Sequence, residues 1–95
     1  MAGLWIAHVN VTDEERYGAY VARATEILSA HGATFIARGG RYEQMEGTDH
    51  SRNVIARFPT LDDALACYRS DEYQEIAVDA IAASDRSVVI VETSD

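Results

Sequence analysis

Apolar and polar residues alternate near the start of the chain, over residues 4–11. A period of two predicts a β-strand whose two faces meet different surroundings. The predicted faces are Trp5, Ala7, Val9 and Val11 on one side, and Leu4, Ile6, His8 and Asn10 on the other. We expect one face to pack in the core and the other to lie in a mixed environment.

A change to helical spacing follows directly after this strand. Residues 12–15 read TDEE, which matches a capping box in which the Thr12 hydroxyl and the Glu15 carboxylate bond to the first turn. Apolar residues then recur at spacings of three and four from Tyr17 to His31, and Gly32 suits the left-handed conformation that ends many helices. The pattern predicts a first helix between Thr12 and Gly32.

The rest of the chain contains three further strand signals and a second helical region. Apolar runs at 33–37 and 53–58 predict two strands, and the polar stretch between them resembles the arm and tip of a hairpin. Thr60 and Ser70 are predicted N-caps of two successive helices. The run at 88–91 is almost entirely apolar and predicts a last strand that is central in a sheet or buried on both sides.

The order strand, helix, strand, strand, helix, strand predicts an α+β fold. It is typical of the ferredoxin-like βαββαβ sandwich, with an antiparallel four-stranded sheet covered by helices on one face. Residues 1–95 suit a single domain with one modest core. An apolar sheet face without helices is usually closed by a second copy, so we expect a homodimer.

The charge balance narrows the classes of partner. Sixteen acidic residues against eight basic ones give a net charge of −8, which disfavours nucleic acid and membrane surfaces. Every basic residue is arginine, so a Schiff-base lysine is excluded. The single Cys67 cannot form an internal disulfide and is predicted to be a packed apolar group. With no basic leader and no long apolar run, we expect a cytoplasmic location.

Several short motifs in a fixed order resemble the domain of unknown function 1330 family. They are Trp5-Ile6, Val9 to Asp13, Ala37-Arg38-Gly39-Gly40, Glu46-Gly47, Phe58-Pro59-Thr60-Leu61, Ala64 to Tyr68, Glu72-Tyr73-Gln74 and Val89-Ile90-Val91-Glu92. The resemblance implies a dimeric α/β barrel, in which two ferredoxin-like subunits pack sheet to sheet. Relatives in that superfamily include cofactor-free monooxygenases, lactone isomerases, polyketide cyclases and haem-binding or haem-degrading proteins, which use a pocket between sheet and helices.

The chain also departs from the family pattern. Asp71 stands where relatives often have proline, Cys67 where they often have tryptophan, and Arg57 where an acidic residue is frequent. Ala80 lies near a position at which many relatives carry an arginine. An anion site built on that late arginine would be altered in this chain.

Arg38 is the leading candidate for a ligand anchor. It follows a strand and precedes Gly39-Gly40, and its planar guanidinium could hold a carboxylate, enolate or phosphate by two hydrogen bonds. The alternative is an ion pair with a carboxylate of the protein, such as Glu43, Glu46 or Glu92. The glycine pair lacks the spacing, lysine and following helix of a P-loop, so a bend or bulge is the better interpretation.

Aromatic residues and one histidine supply the other candidates. His8 is the candidate general base, although a lone strand histidine is more often structural. Tyrosines on the helix faces are mostly core residues, but a subset beside Trp5 and Phe35 would suit a flat ligand. The ligand-binding candidates are Trp5, Arg38, Gly39, Gly40, Tyr68 and Tyr73.

Three functions stay open at this point. The first is binding of a small anionic or carbonyl-bearing molecule in a pocket between sheet and helices. The second is a cofactor-independent monooxygenase, isomerase or cyclase with His8 as the base, and the third is a structural or interaction module without a ligand. Glu46, Asp49 and His50 lack a recognised metal-ligand spacing, and no cofactor motif is present, so we expect neither metal nor cofactor.

Overall fold

The computed structural model describes the whole chain, Met1–Asp95. Its elements are β1 (Gly3–Val11), α1 (Glu14–Ala30), β2 (Thr34–Arg38), β3 (Arg52–Phe58), α2 (Leu61–Arg69), α3 (Asp71–Ala82) and β4 (Ser84–Glu92). This confirms the predicted βαββαβ order, with the second helical region divided at Ser70. None of the three helices is long and apolar enough to cross a membrane.

One antiparallel sheet holds all four strands, in the spatial order β2-β3-β1-β4. β4 is therefore an edge strand, and the prediction of a central or doubly buried strand was wrong. Its apolar residues divide between two faces: Val88 and Ile90 pack against the core, whereas Val89 and Val91 are 54% and 45% exposed. The strand also begins earlier, at Ser84, because backbone pairing with β1 continues through polar residues.

The helices cover one face of this sheet, as the alternation in β1 predicts. Trp5, Ala7 and Val9 point towards the helices and are at most 5% exposed. The opposite side carries no helix, and we call it the open face. Its residues include Leu4, Ile6, His8, Asn53, Ile55, Val89 and Val91.

Helix ends agree with the predicted caps, with one correction. Thr60 Oγ1 accepts from Asp63 N–H at 3.0 Å, and Ser70 Oγ accepts from Tyr73 N–H at 3.2 Å. At α1, however, Asp13 is the N-cap and Thr12 is not. The strand β1 reaches Val11, and the Thr12 N–H still donates to the Ala83 carbonyl at 2.8 Å, which places Thr12 one residue too early to cap.

The connection from β2 to β3 differs from the predicted hairpin arms. A bulge lies between Phe35 and Ala37, β2 ends at Arg38, and no strand intervenes before Arg52. Gly39 bends the chain with a φ of +66°, a conformation that favours glycine. The glycine pair thus forms a bend after the end of β2, whereas the bulge lies within β2.

A single core lies between the helices and the sheet. Trp5 stands near its centre, with ring centroids 6.1 Å from Phe58, 5.6 Å from Tyr68 and 5.0 Å from Tyr73. Cys67 is fully buried in the same core, and burial raises its pKa to about 12. Its thiol is therefore protonated at neutral pH and acts as a packing group, as predicted.

Candidate functional site

A narrow cleft opens between α1 and the helix-covered face of the sheet, and three arginines line it. We call it the arginine cleft; its volume is about 40 Å³. Its lining residues are Trp5, Ala7, Tyr17, Tyr20, Val21, Leu28, Phe35, Arg38, Arg52, Val54 and Arg86. Apart from the arginines, the walls are aromatic or aliphatic.

Strand register explains why the arginines converge. Arg52 of β3 and Arg86 of β4 both pair with Val9 of β1, one on each side of it. Val9 is fully buried beneath the helices, so both arginines point to the same side. Two strand spacings separate their backbones, roughly 10 Å. Arg38 pairs with Val54 in the neighbouring row, which completes a three-cation cluster.

Arg86 is the most firmly held of the three. Its Nη1 donates to the Tyr20 hydroxyl at 3.2 Å and its Nη2 to the Tyr73 hydroxyl at 3.4 Å. Burial opposes its charge, but the two hydroxyls more than offset this cost and the pKa of Arg86 is raised. Burial also raises the pKa of Tyr73 well above its usual value. Arg86 therefore stays charged beside the neutral Tyr73.

The other two arginines make fewer polar contacts within the protein. The Arg38 guanidinium lies 4.3 Å from the centre of the Phe35 ring and donates to the Thr25 hydroxyl. Arg52 passes close to Gly39, where a Cβ would lie 2.9 Å from its Nη1. The salt bridges of the protein involve other arginines, in Arg16–Asp79 and Arg57–Asp95, and the His31 ring lies 3.9 Å from the Glu72 carboxylate. The alternative partners of Arg38, Glu43, Glu46 and Glu92, do not pair with it.

The structure brings together only some of the predicted site residues. Trp5 and Arg38 line the cleft, whereas Tyr73 lies behind its wall and reaches it only through Arg86. Tyr68 packs on Trp5 outside the lining. Gly39 shapes the path of Arg52, and Gly40 faces open space.

His8 lies away from the cleft, on the open face of the sheet. Even-numbered positions of β1 point away from the helices, so His8 and Trp5 face opposite sides. The exposed His8 ring has its Nδ1 at 2.7 Å from Asn53 Oδ1, and its ring centre is 6.0 Å from that of His50. A ligand in the cleft would not reach this histidine within the same subunit.

Sequence reasoning selects neither Arg52 nor Arg86 as a site residue, although Arg52 belongs to the group of arginines in the middle of the chain that makes a local anion site plausible. The predicted strands at 53–58 and 88–91 exclude both arginines, because polar residues at the end of a strand resemble loop residues. The period of two along a strand would have identified them. Val54 and Val88 face the core, and the residue two positions before each of them, Arg52 and Arg86, lies on the same face. The cleft therefore receives one of its arginines, Arg86, from the last strand.

A shallow groove of about 280 Å³ adjoins the mouth of the cleft. It shares Tyr17, Val21 and Arg52 with the cleft and adds Glu14 as its one acidic residue. The cleft itself contains no carboxylate and no histidine. No group of three or more His, Cys, Asp or Glu side chains lies close enough to hold a metal ion. The site offers positive charge and hydroxyl groups to a ligand.

An antiparallel four-stranded sheet, helices on one face and a cationic cleft between the two layers define a ferredoxin-like α+β protein. The chain belongs to the family described as domain of unknown function (DUF1330), whose model matches residues 2–94. This confirms the family that the sequence motifs resemble. No match was found among curated protein sequences.

Solved structures share this fold at low sequence identity. A protein of unknown function from Rhodopseudomonas palustris is 16% identical, with a TM-score of 0.77 over 99% of this chain and 83% of its own. A mutant of SnoaB, a cofactor-independent oxygenase from Streptomyces nogalater, is 13% identical, with a TM-score of 0.71 over 99% of this chain and 94% of its own. A dimeric ferredoxin-like protein of unknown function from Thermobifida fusca is 14% identical, with a TM-score of 0.65 over 98% of this chain and 92% of its own.

Proposed function

We propose that this protein binds a small organic anion in the arginine cleft. The observation that carries the proposal is the convergence of Arg38, Arg52 and Arg86 without any carboxylate partner. Arg52 and Arg86 are half-buried, and cations that are partly withdrawn from water are normally paired. An anionic ligand would supply the missing negative charge, and guanidinium groups bind carboxylate or phosphate oxygens with good geometry.

The size of the cleft indicates which part of a ligand it would hold. One water needs about 10–15 Å³ of cavity volume. The cleft, at about 40 Å³, therefore accommodates an anionic head group and not a whole metabolite. The body of the ligand would extend into the adjoining groove, past Tyr17 and Val21. This favours a ligand with a charged end and a flat or apolar body.

The single tryptophan offers a direct binding assay. Trp5 lines the cleft, so its fluorescence should respond when a ligand enters. We expect aromatic carboxylates to bind, and Arg52→Gln to raise their Kd by about tenfold or more, because a hydrogen bond to a charged group contributes about 1.5–3 kcal/mol.

The matched control for this substitution is Arg57→Gln. Arg57 lies on the same strand but on the open face, where it pairs with Asp95 at 3.4 Å. Its replacement should leave the Kd unchanged. Equal effects of the two substitutions, or no binding by any anion in a panel of carboxylates and phosphates, would contradict the proposal.

A second copy of the chain is the partner we propose for the open face. The ferredoxin-like structure from Thermobifida fusca is described as dimeric. In this chain, the exposed Val89 and Val91 lie on the face without helices, and a second sheet would cover them. The residues that line the arginine cleft lie on the other face, so each subunit would keep its own cleft. The cytoplasmic location stays a prediction from the sequence.

A cofactor-independent oxygenase is the second candidate, favoured by the fold that this chain shares with SnoaB. Such a reaction requires an electron-rich ligand anion that reacts with O₂, and the arginines would stabilise that anion. The cleft provides no carboxylate or histidine base, so the ligand would have to ionise readily by itself. Oxygen uptake with phenols and 1,3-diketones, abolished by Arg86→Met, would support this activity; no uptake across the panel would leave binding as the function.

A further inference from the structure

Two tyrosine hydroxyls and one arginine form a closed hydrogen-bond group at the inner wall of the cleft. The Tyr20 and Tyr73 hydroxyl oxygens are 2.6 Å apart, and Arg86 donates to both. A hydroxyl carries one hydrogen and accepts up to two, whereas a guanidinium only donates. The directions of these hydrogen bonds can therefore be deduced.

Tyr73 determines the arrangement, because its side chain is completely buried. Its hydroxyl contacts only Tyr20 and Arg86, and Arg86 cannot accept a hydrogen bond. The Tyr73 hydrogen must therefore point to the Tyr20 oxygen, since in the reverse direction it would be buried without a partner. Such an unsatisfied buried group is costly and rare.

Tyr20 then accepts two hydrogen bonds, one from Tyr73 and one from Arg86. Both acceptor positions of its oxygen are filled, so its own hydrogen is free to point elsewhere. Tyr20 lines the arginine cleft, whereas Tyr73 does not. The free hydrogen of this group is thus available only on the side of the cleft.

We propose that Tyr20 and Arg86 form a two-donor oxyanion site that binds a phenolate or enolate oxygen of the ligand. The Tyr20 O–H and a remaining Arg86 N–H would donate to the same ligand oxygen, because the two groups are already 3.2 Å apart. Tyr73 is a positioning residue in this arrangement: it fixes the direction of the Tyr20 hydrogen and touches no ligand. This inference rests on the proposed anion-binding function of the cleft and names its ligand class.

Donors fixed before the ligand arrives favour its ionised form over its neutral form. The pKa of a bound phenol should therefore fall below its value in solution. The absence of a carboxylate or histidine base in the cleft fits this selection, since an acidic phenol or enol needs no base to ionise near neutral pH. Arg38 and Arg52 would hold a second charge, such as a carboxylate on the same ligand.

The test uses 4-nitrophenol as the probe, because its phenolate absorbs visible light, with benzoate as a carboxylate without a phenolic oxygen. For the wild-type protein we expect both to bind and the pKa of bound 4-nitrophenol to fall. Tyr20→Phe should weaken 4-nitrophenolate binding about tenfold and return its pKa towards the solution value. Benzoate, held by Arg38 and Arg52, should keep its Kd within about twofold.

Tyr73→Phe is the second variant, and circular dichroism shows whether each variant is folded. It removes one hydrogen bond to Tyr20 but keeps the Tyr20 hydrogen, so a smaller loss of 4-nitrophenolate affinity is expected. If benzoate binds but 4-nitrophenolate does not, or Tyr20→Phe affects both probes equally, the oxyanion site is wrong while the cleft still binds anions. If neither probe nor any other carboxylate or phosphate of the panel binds the wild-type protein, the proposed function itself fails.

Discussion

Tyr73 illustrates how one side chain can serve the core and the site together. Its helical position predicts a core residue with a bonded hydroxyl, and its ring indeed packs edge-on against Trp5, with centroids 5.0 Å apart. Its hydroxyl partners, however, lie on other elements: they are Tyr20 of α1 and Arg86 of β4. Sequence spacing predicts the burial of such a residue, but the polar contact depends on strand register.

The raised pKa of Tyr73 predicts a loss of stability in alkaline solution. Ionisation is easier in the unfolded chain, whose tyrosines keep the usual pKa of 10.0, than in the fold, where burial disfavours the charge. The folded state therefore retains its proton as pH rises above 10.0, and the free energy of unfolding should fall by up to about 1.4 kcal/mol per pH unit for this tyrosine.

Urea unfolding between pH 8 and pH 11 measures this effect. Tyr73→Phe should make the decline shallower, because one tyrosine no longer titrates. Part of the decline should persist through Tyr17, whose pKa is also raised by burial. An identical pH dependence for the variant and the wild-type protein would show that Tyr73 is not the group responsible.

The bend between β2 and β3 links a strand end to the position of an arginine. Gly39 has a φ of +66°, and a Cβ at this position would lie 2.9 Å from Arg52 Nη1. Gly39→Ala should therefore lower the free energy of unfolding by about 1–2 kcal/mol and displace the Arg52 side chain. If Arg52 binds the ligand, the Kd measured by Trp5 fluorescence should rise as well.

Gly40→Ala provides the neighbouring control. Its Cβ would meet nothing within 4 Å, and its φ is not in the left-handed region, so the substitution should be close to neutral. Similar losses of stability for the two variants would mean that general flexibility of the bend matters, and not the close approach of Arg52 to Gly39.

Element order was predictable from the sequence, but the ends of strands were not. The alternation in β1 and the caps at Thr60 and Ser70 depend only on neighbouring residues, and the structure confirms them. The polar ends of β3 and β4 exist because their backbones pair with Val9, a contact distant in sequence. Arg52 and Arg86 lie in these ends, so the same non-local pairing that escaped prediction also builds the cleft.

The proposed ligand site and the proposed dimer surface lie on opposite sides of one sheet. Helices and the arginine cleft occupy one side, and the open face, with the exposed Val89, occupies the other. The sequence predicted the uncovered face from element order, because helices of a βαββαβ unit lie on one side of the sheet. The occupant that we propose for this face is a second copy of the chain.

The proposed dimer can be tested with two matched valines. Val89 of β4 is 54% exposed on the open face, and Val78 of α3 is 63% exposed on the helical side. Val89→Asp would place a carboxylate between two packed sheets, where an unpaired charge is strongly unfavourable. Light scattering at micromolar concentration should then give the mass of a monomer, whereas Val78→Asp should retain the dimer mass. A monomeric wild-type protein would refute the sheet-to-sheet dimer. Dissociation by Val78→Asp but not by Val89→Asp would show that the interface lies on the helices.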